Sequence, residues 1–459
     1  MSKFRRRLLY LVENEQLEYN GLKFLSIGDT TVAIINEGDN SPDIKYSLNG
    51  GKKWVRWDYS PINLQDGDSI YFKGDNPSGF SVSSSEYSHF SLSGDGMIAA
   101  SGDITSLLDD GVCNTLIIPR EYYFWGLFAG CSSLTTAPEL PATTLTSYCY
   151  ESMFNGCTSL TTAPELPATT LAQGCYSSMF VGCTSLTTAP ELPATTLAQG
   201  CYSSMFGGCT SLTTAPELPA ATLAIGCYQS MFASCTSLTT APELSATTLA
   251  NYCYYSMFQD CSSLTEAPEL PATALTTRCY FRMFAECSNL VVAPELPAET
   301  LGGACYVMMF INCTKLSYIK CLALNPQGKF MSNWVAGVAS SGTFVKNAIA
   351  TGWTTGNSGI PNGWTVEDDS QPIVVDNCSV FVVSYDTSLK MSFIKTIRTI
   401  TGLGLKEAKN FVDSIPKTLM DSLSLEEARN IAQQIYDCEA QGSCDIRDSN
   451  ETIIEKYYH

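Results

Sequence analysis

The chain has 459 residues, with 26 basic residues against 45 acidic ones and a formal net charge of −19. That length accommodates three or four domains, and the acidic balance argues against double-stranded nucleic acid as a partner. Only two histidines, His89 and His459, accompany twenty cysteines that contain no Cys-x-x-Cys. No metal centre, cofactor or enzymatic activity is therefore expected, since a metal site needs a ligand set and catalysis needs a base beside a nucleophile.

The chain opens MSKFRRRLLYLVENEQ, where the apolar run Leu8 to Val12 stops at Glu13. This run is too short for an export signal, and no stretch approaches the ~18 apolar residues of a membrane span. Residues 1–19 read as a terminal segment whose Arg5 to Arg7 either stay solvated or anchor the chain to a larger assembly. Residues 20–98 alternate at Thr31 to Ile35, Ile44 to Leu48, Lys53 to Trp57 and Ser69 to Lys73, with Gly- and Asp-rich turns between, so a small β-sandwich-like domain is predicted. Trp54 and Trp57 point to opposite faces of a strand, which places one in the core and leaves the other either packed or available as a sugar platform.

Residues 99–321 are periodic. One cysteine series runs Cys131, Cys157, Cys183, Cys209, Cys235, Cys261, Cys287, Cys313; a second runs Cys149, Cys175, Cys201, Cys227, Cys253, Cys279, Cys305. Both step by 26 residues. A unit of that size cannot bury its own apolar face, so the copies are expected to stack as a solenoid around a shared core. The near-constant positions are the two cysteines with Tyr150, Met153, Phe154, Leu160, Leu166 and Leu171, and these are the predicted interior. Pro164 and Pro167 confine the parallel strand to Ser-Leu-Thr-Thr-Ala. Cys-Tyr-x-x-Met-Phe is assigned to a helical or 3₁₀ turn opposite. Stacked at ~4.8 Å per strand, about eight coils make a rod of about 38 Å. Tyr123 and Leu127 stand where a cysteine and a methionine belong, as in a capping repeat.

The fifteen repeat cysteines read as buried thiols lining the core, since an odd number cannot pair completely within itself. The repeated Glu of Ala-Pro-Glu-Leu (Glu139 to Glu295) is predicted to face solvent or to hold a cation weakly, because stacked like charges repel. The positions that vary between copies include Asn251, Tyr252, Tyr255, Gln259, Asp260, Arg278, Phe281 and Arg282. Of these, Tyr252, Tyr255, Arg278, Phe281 and Arg282 form the candidate repeat-surface binding site, since aromatic and Arg side chains carry most binding energy.

Residues 322–366, with Trp334, Trp353 and Trp364, read as the far cap; 367–373, containing EDDSQP, as a linker; 374–449 as a compact α/β domain; and 450–459 as a tail. In the α/β domain, CSVFVVSY (378 to 385) alternates as a strand, MSFIKTIRTI (391 to 400) is an amphipathic helix, and SLEE (424 to 427) is a capping box. Lys390, Lys395, Arg398, Lys406 and Lys409 place five cations on one helical hairpin of an acidic chain. Such a face suits an acidic partner, or is simply solvated.

Two resemblances follow from these motifs. The pattern MF-x-x-C-x-x-L…P-x-x-x-L…C-Y-x-x-MF resembles the BspA-like leucine-rich repeats of Bacteroidales surface proteins, over about 113 to 321, with three more residues per unit. The stretch TGLGLKEAKNFVDSIPK (401 to 417) resembles the C-terminal domain of the bacterial ribosomal stalk protein, over about 376 to 449. That second resemblance implies a factor-binding face made by Met391, Ile394, Lys395, Arg398, Leu405, Lys406 and Lys409. The whole arrangement is similar to mosaic proteins of crAss-like and related phages. The expectation is a virion fibre or decoration protein, with a BspA-like bacterial surface adhesin and a cytoplasmic factor engaging translation as alternatives. The implied partners are a protein or glycan on a host cell surface and other virion proteins, with homo-oligomerisation open; the implied location is the virion, or else the bacterial surface.

Overall fold

The structure, a computed structural model, describes residues 19–77, 79–369, 378–447 and 453–458. The terminal segment 1–18, linker residues 370–373, tail residues 450–452 and His459 lie outside the described residues. The chain is multidomain and mostly β, and it divides into two compact units, the first ending at Asp369.

The first unit begins with eight strands: β1 (Lys23–Ile27), β2 (Thr30–Glu37), β3 (Ile44–Ser47), β4 (Val55–Arg56), β5 (Ile62–Leu64), β6 (Ser69–Gly74), β7 (Tyr87–Gly94) and β8 (Met97–Ser101). One sheet is ordered β5-β2-β7. The other runs β4-β3-β6-β1-β8 and then continues into β9 (Leu134–Thr136), the first repeat strand, which pairs in parallel with β8. Alternate residues of these strands point inward, and Phe24, Phe72, Phe90 and Trp57 fill the space between the sheets. Trp57 is in the core, whereas Trp54 is half-covered by an edge contact to Tyr19 at 4.9 Å and by Lys73 Nζ at 5.0 Å from its ring centre.

The same core continues without interruption through the repeats. The strand line of each coil is short: beyond β9 it is reduced to single parallel bridges such as Thr136 to Thr162 and Thr214 to Thr240, with a second line through Thr170 to Thr196 and Thr222 to Thr248. Pro164 and Pro167 and their equivalents lie between the two lines and limit the length of each. Most of the hydrogen bonding between coils lies in the Cys-Tyr-x-x-Met-Phe segment, which is neither helical nor 3₁₀. The N–H groups of Tyr148, Tyr150, Ser152, Phe154 and Gly156 donate to Gln173, Cys175, Ser177, Met179 and Val181 of the next coil at 2.7–3.1 Å. The intervening N–H groups, from Cys149 to Cys157, donate three residues back in their own coil at 3.0–3.4 Å. A helix would keep every N–H for itself. Here every second one is spent on the neighbouring coil, and left-handed residues at Tyr148, Ser152 and Gly156 (φ 59°, 56° and 75°) turn the chain so that this is possible.

Two aromatic columns run through the stack. One steps from Phe124 through Tyr150, Tyr176, Tyr202, Tyr228, Tyr254 and Tyr280 to Tyr306, with ring centres 5.9–6.2 Å apart. The other begins on Phe90 of β7, at 5.4 Å from Phe128, and continues through every repeat phenylalanine to Phe310. Both end on Trp334, which is fully buried and donates from Nε1 to Gly359 O at 2.8 Å. Each buried aromatic contributes roughly 1.5–3 kcal/mol of transfer free energy, with about 0.5–1.5 kcal/mol more for a well-placed ring pair.

Three parallel strands close the unit: β10 (Tyr318–Cys321), β11 (Thr343–Asn347) and β12 (Thr365–Asp369), with helix α1 (Gly328–Met331) between the first two. Glu367, Asp368 and Asp369, assigned above to an acidic linker, are instead the end of β12. Their charge is offset by lysines of the same sheet: Lys346 of β11 pairs with Asp368, and Lys320 Nζ of β10 lies 3.3 Å from Asp369.

The second unit is an antiparallel sheet ordered β14-β13-β15-β16, from β13 (Cys378–Ser384), β14 (Lys417–Leu423), β15 (Ser443–Arg447) and β16 (Ile453–Tyr457). Residues 453–457, placed in a tail from sequence, thus form a strand. Helices α2 (Lys390–Thr401), α3 (Leu405–Asp413) and α4 (Leu425–Tyr436) pack their apolar residues with those of the sheet. Ser424 opens α4: its Oγ accepts from Glu427 N, while Glu427 Oε2 accepts from Ser424 N at 2.9 Å. Gly402, with φ 72°, ends α2 in the left-handed conformation that frees the chain to turn into α3.

Candidate recognition surfaces

Both cysteine series are buried free thiols. Cys157 donates from Sγ to Phe128 O at 3.1 Å, and the same bond recurs from Cys183, Cys209, Cys235, Cys261, Cys287 and Cys313 to the phenylalanine carbonyl of the preceding coil. Burial pushes the thiols of Cys149, Cys183 and Cys201 up to about 12. These groups are packing elements, and among the described residues no cluster of three or more His, Cys, Asp or Glu is placed to hold a metal.

The turn segments form one face of the stack, where the side chains that differ between copies emerge. Tyr252, Tyr255, Arg278, Phe281 and Arg282 are together on two adjacent coils. Tyr255 and Phe281 occupy the same position of successive repeats and stack with centres 4.7 Å apart and planes 3° from parallel. The Arg278 guanidinium carbon sits 5.7 Å from the Tyr252 ring centre and 5.6 Å from that of Phe281. Arg278 is exposed, and the other four are half-buried. Arg282 is held by its own coil and the one before, with Nη2 3.5 Å from Glu286 Oε1 and Nε donating to Gln259 Oε1 at 3.3 Å.

A second aromatic group on this face escaped the sequence reading. Tyr122 stacks on Tyr148 at 4.9 Å, and Trp125 meets Tyr87 edge-on at 4.5 Å while donating from Nε1 to Glu151 at 3.1 Å. Tyr122 and Tyr148 occupy the same repeat position as Tyr252, and Trp125 that of Tyr255. Aligning the degenerate first coil with the later ones carries that signal.

The glutamates from Glu139 to Glu295 are all exposed on the proline-bearing side, and Glu295 is met by Lys320 Nζ at 2.9 Å. Glu243, Glu266 and Glu269 line a cleft of about 500 Å³ with Pro242, Pro268 and Pro271.

In the second unit, Lys395 and Arg398 project from α2, and Lys406 and Lys409 from α3, all exposed. Met391 and Leu405 are the apolar members of this face, with 70% and 55% of their surface accessible. Ile394 does not belong to it. It is 2% exposed and packs with Phe393, Ile397, Ala408 and Val412, because a residue one position before Lys395 turns toward the sheet on a helix of 3.6 residues per turn. Lys390 is paired with Asp413, whereas Lys395, Lys406 and Lys409 make no ion pair among the described residues.

Residues 378–443 match the family described as Ribosomal protein L7/L12 C-terminal domain. Similar proteins include the large ribosomal subunit protein bL12c of Cyanidium caldarium, 43% identical over 67 residues, covering 15% of this chain and 52% of that protein. The bL12 protein of Chlorobaculum tepidum is 50% identical over 52 residues, covering 11% of this chain and 41% of the relative. That of Coxiella burnetii is 46% identical over 63 residues, covering 14% and 49%. The chain thus spans about half the length, or less, of these curated relatives. No solved structure matches the chain. Residues 378–443 form a ribosomal protein L7/L12 C-terminal domain, carried on a chain in which the described residues from 19 to 369 are built from β-strands and stacked repeats.

Proposed function

We propose that this chain is a non-enzymatic recognition protein, a phage virion fibre or decoration protein in which a BspA-like leucine-rich-repeat solenoid presents its turn face to a protein or glycan on the host cell. The observation that carries this reading is the separation of fixed and variable positions. Cys, Tyr, Met and Phe of the repeats, with the leucines equivalent to Leu160 and Leu166, are buried and nearly invariant, while Tyr252, Tyr255, Arg278 and Phe281 on the turn face differ from their counterparts in neighbouring coils. A rigid scaffold with varied surface side chains is how repeat proteins make binding surfaces.

Two measurements test it. Alanine at both Tyr255 and Phe281 should weaken attachment to host cells while lowering the melting temperature little; unchanged attachment with a large stability loss would assign these rings to the core. Capsid, portal or tail genes beside the coding sequence, and the chain in purified virions, support the virion reading. Its recovery from the surface of uninfected bacteria would favour a BspA-like adhesin. A second reading, a factor engaging the translation apparatus, is favoured by one observation: the match of residues 378–443 to a ribosomal domain whose cationic residues are exposed here.

A further inference from the structure

The geometry points to a binding site for a carboxylate-bearing sugar, a uronic or sialic acid unit of a surface glycan, formed by Arg278 with Tyr252, Tyr255 and Phe281. This inference rests on the turn face being the recognition surface and names the ligand it takes.

Arg278 is unusual in this chain. In a protein of net charge −19, its guanidinium forms no ion pair among the described residues, while the next arginine on the same face, Arg282, is taken by Glu286 and Gln259. Arg278 is instead backed by two rings, Tyr252 and Phe281, which leave its fork of N–H donors toward solvent. A planar guanidinium seated on aromatic faces is pre-organised for two-point binding of a carboxylate.

The fold sets a left-handed backbone at this position of every coil, Tyr122, Tyr148 and Ala304 included. Arg278 and Tyr252 have φ of 53° and 61°, and the same repeat position is glycine in three other coils, at Gly174, Gly200 and Gly226. Side chains at a left-handed position carry strain that glycine avoids, so the coils that place a ring and an arginine there depart from the unstrained solution.

The surroundings favour a sugar over a protein. A specific protein partner covers about 800 Å² on each side, with large apolar or aromatic side chains at the centre. The adjacent coil adds one large apolar side chain, Ile225, and two coils before Tyr252 the same face carries Gly200, Ser203, Ser204, Gly207 and Gly208. The cluster spans two coils and stands four coils from the other aromatic group around Tyr122 and Tyr148; a compact cluster of this size suits a pyranose, whose C–H face packs on a ring while its hydroxyls bond to neighbouring polar groups. The stacking step of about 4.8 Å is also close to the length of one sugar in an extended chain.

The test is binding of the full chain to uronic- and sialic-acid oligosaccharides, compared with the same oligosaccharides after reduction of the carboxyl to an alcohol. The acidic forms should bind about tenfold or more tighter, the difference a charge-assisted hydrogen-bond pair supplies. Arg278→Gln should erase that preference, Arg278→Lys should retain part of it, and Tyr255→Ala should weaken both forms. Equal binding of acidic and reduced forms, no binding of either, or an acid preference that survives Arg278→Gln overturns the inference. Attachment to host cells measured in parallel separates the two levels. Attachment that persists without acid-sugar binding removes this ligand alone, and absence of attachment to any host cell removes the recognition function itself.

Discussion

The thiol of Cys183 donates to the main-chain carbonyl of Phe154, one coil earlier, at 3.2 Å. Cysteine is the side chain that fits there: small enough to stay inside the column of phenylalanine rings, apolar enough to bury, and still able to donate. The repeat therefore retains cysteine without any disulfide. Cys183→Ala should lower stability by about 1–3 kcal/mol, from the lost contact and the small cavity left behind, read as a shift in the urea midpoint with little change in slope.

The state of the thiols can be measured directly. All twenty cysteines are free. Alkylation under denaturing, non-reducing conditions followed by mass spectrometry should therefore find most of the fifteen repeat cysteines modified, while the folded chain should react mainly at the half-exposed Cys113 and Cys438. A regular set of disulfides such as Cys149 to Cys157 would contradict the packing described above.

The raised thiols predict an alkaline limit. Cys149, Cys183 and Cys201 titrate near 12 in the folded chain because burial disfavours the thiolate, against an ordinary value of about 9. The unfolded chain therefore loses these protons first as pH rises. Stability is complete below about pH 9 and falls between 9 and 12, by about 1.4 kcal/mol per pH unit for each thiol involved. Thermal melting should be flat through neutral pH and drop steeply above pH 9; a flat profile to pH 11 would show that the thiols are not buried in one cooperative unit.

Glycines of the turn face can be ranked. At Gly174, with φ 57°, an added methyl would overlap the Tyr148 ring, whereas at Gly200, with φ 61°, it meets nothing within 4 Å. Gly200→Ala should cost only the left-handed backbone penalty of about 1 kcal/mol, and Gly174→Ala should cost more because the Tyr122–Tyr148 stack must also move. Equal midpoints for the two variants would mean that Tyr148 does not rest on the next coil.

The cationic hairpin of the second unit predicts salt-dependent capture. Residues 374–459, immobilised, should retain an acidic partner from host lysate or from other virion proteins at low salt and lose it as ionic strength rises. Lys395→Glu with Arg398→Glu should abolish capture. Translation factors among the retained proteins would support the second reading of function and structural virion proteins the first; equal capture by the wild-type and reversed domains would leave only a solvated face.

The 26-residue period, the buried set of Cys149, Tyr150, Met153, Phe154 and Cys157, the degenerate first coil, the extent of α2 and the start of α4 were legible in the sequence, because each depends on spacing or on a local cap. The 26-residue step relates Tyr255 to Phe281, but their stacking is a finding of the structure. Other features were settled only by the tertiary structure, since they depend on partners distant in sequence. Cys-Tyr-x-x-Met-Phe has the apolar spacing of a helical turn, but the N–H of Tyr150 finds Cys175 O, 25 residues ahead, and that competing acceptor exists only once the next coil is in place. Glu367 to Asp369 read as an acidic linker until Lys320 and Lys346 of the same sheet neutralise two of the three carboxylates. Ile394 and Lys395 are neighbours in one motif, yet the sheet beneath α2 takes the first into the core and leaves the second in water. Local sequence specifies which side chains prefer burial; which N–H, which charge and which helix face is satisfied is decided by the surface that folding brings against it.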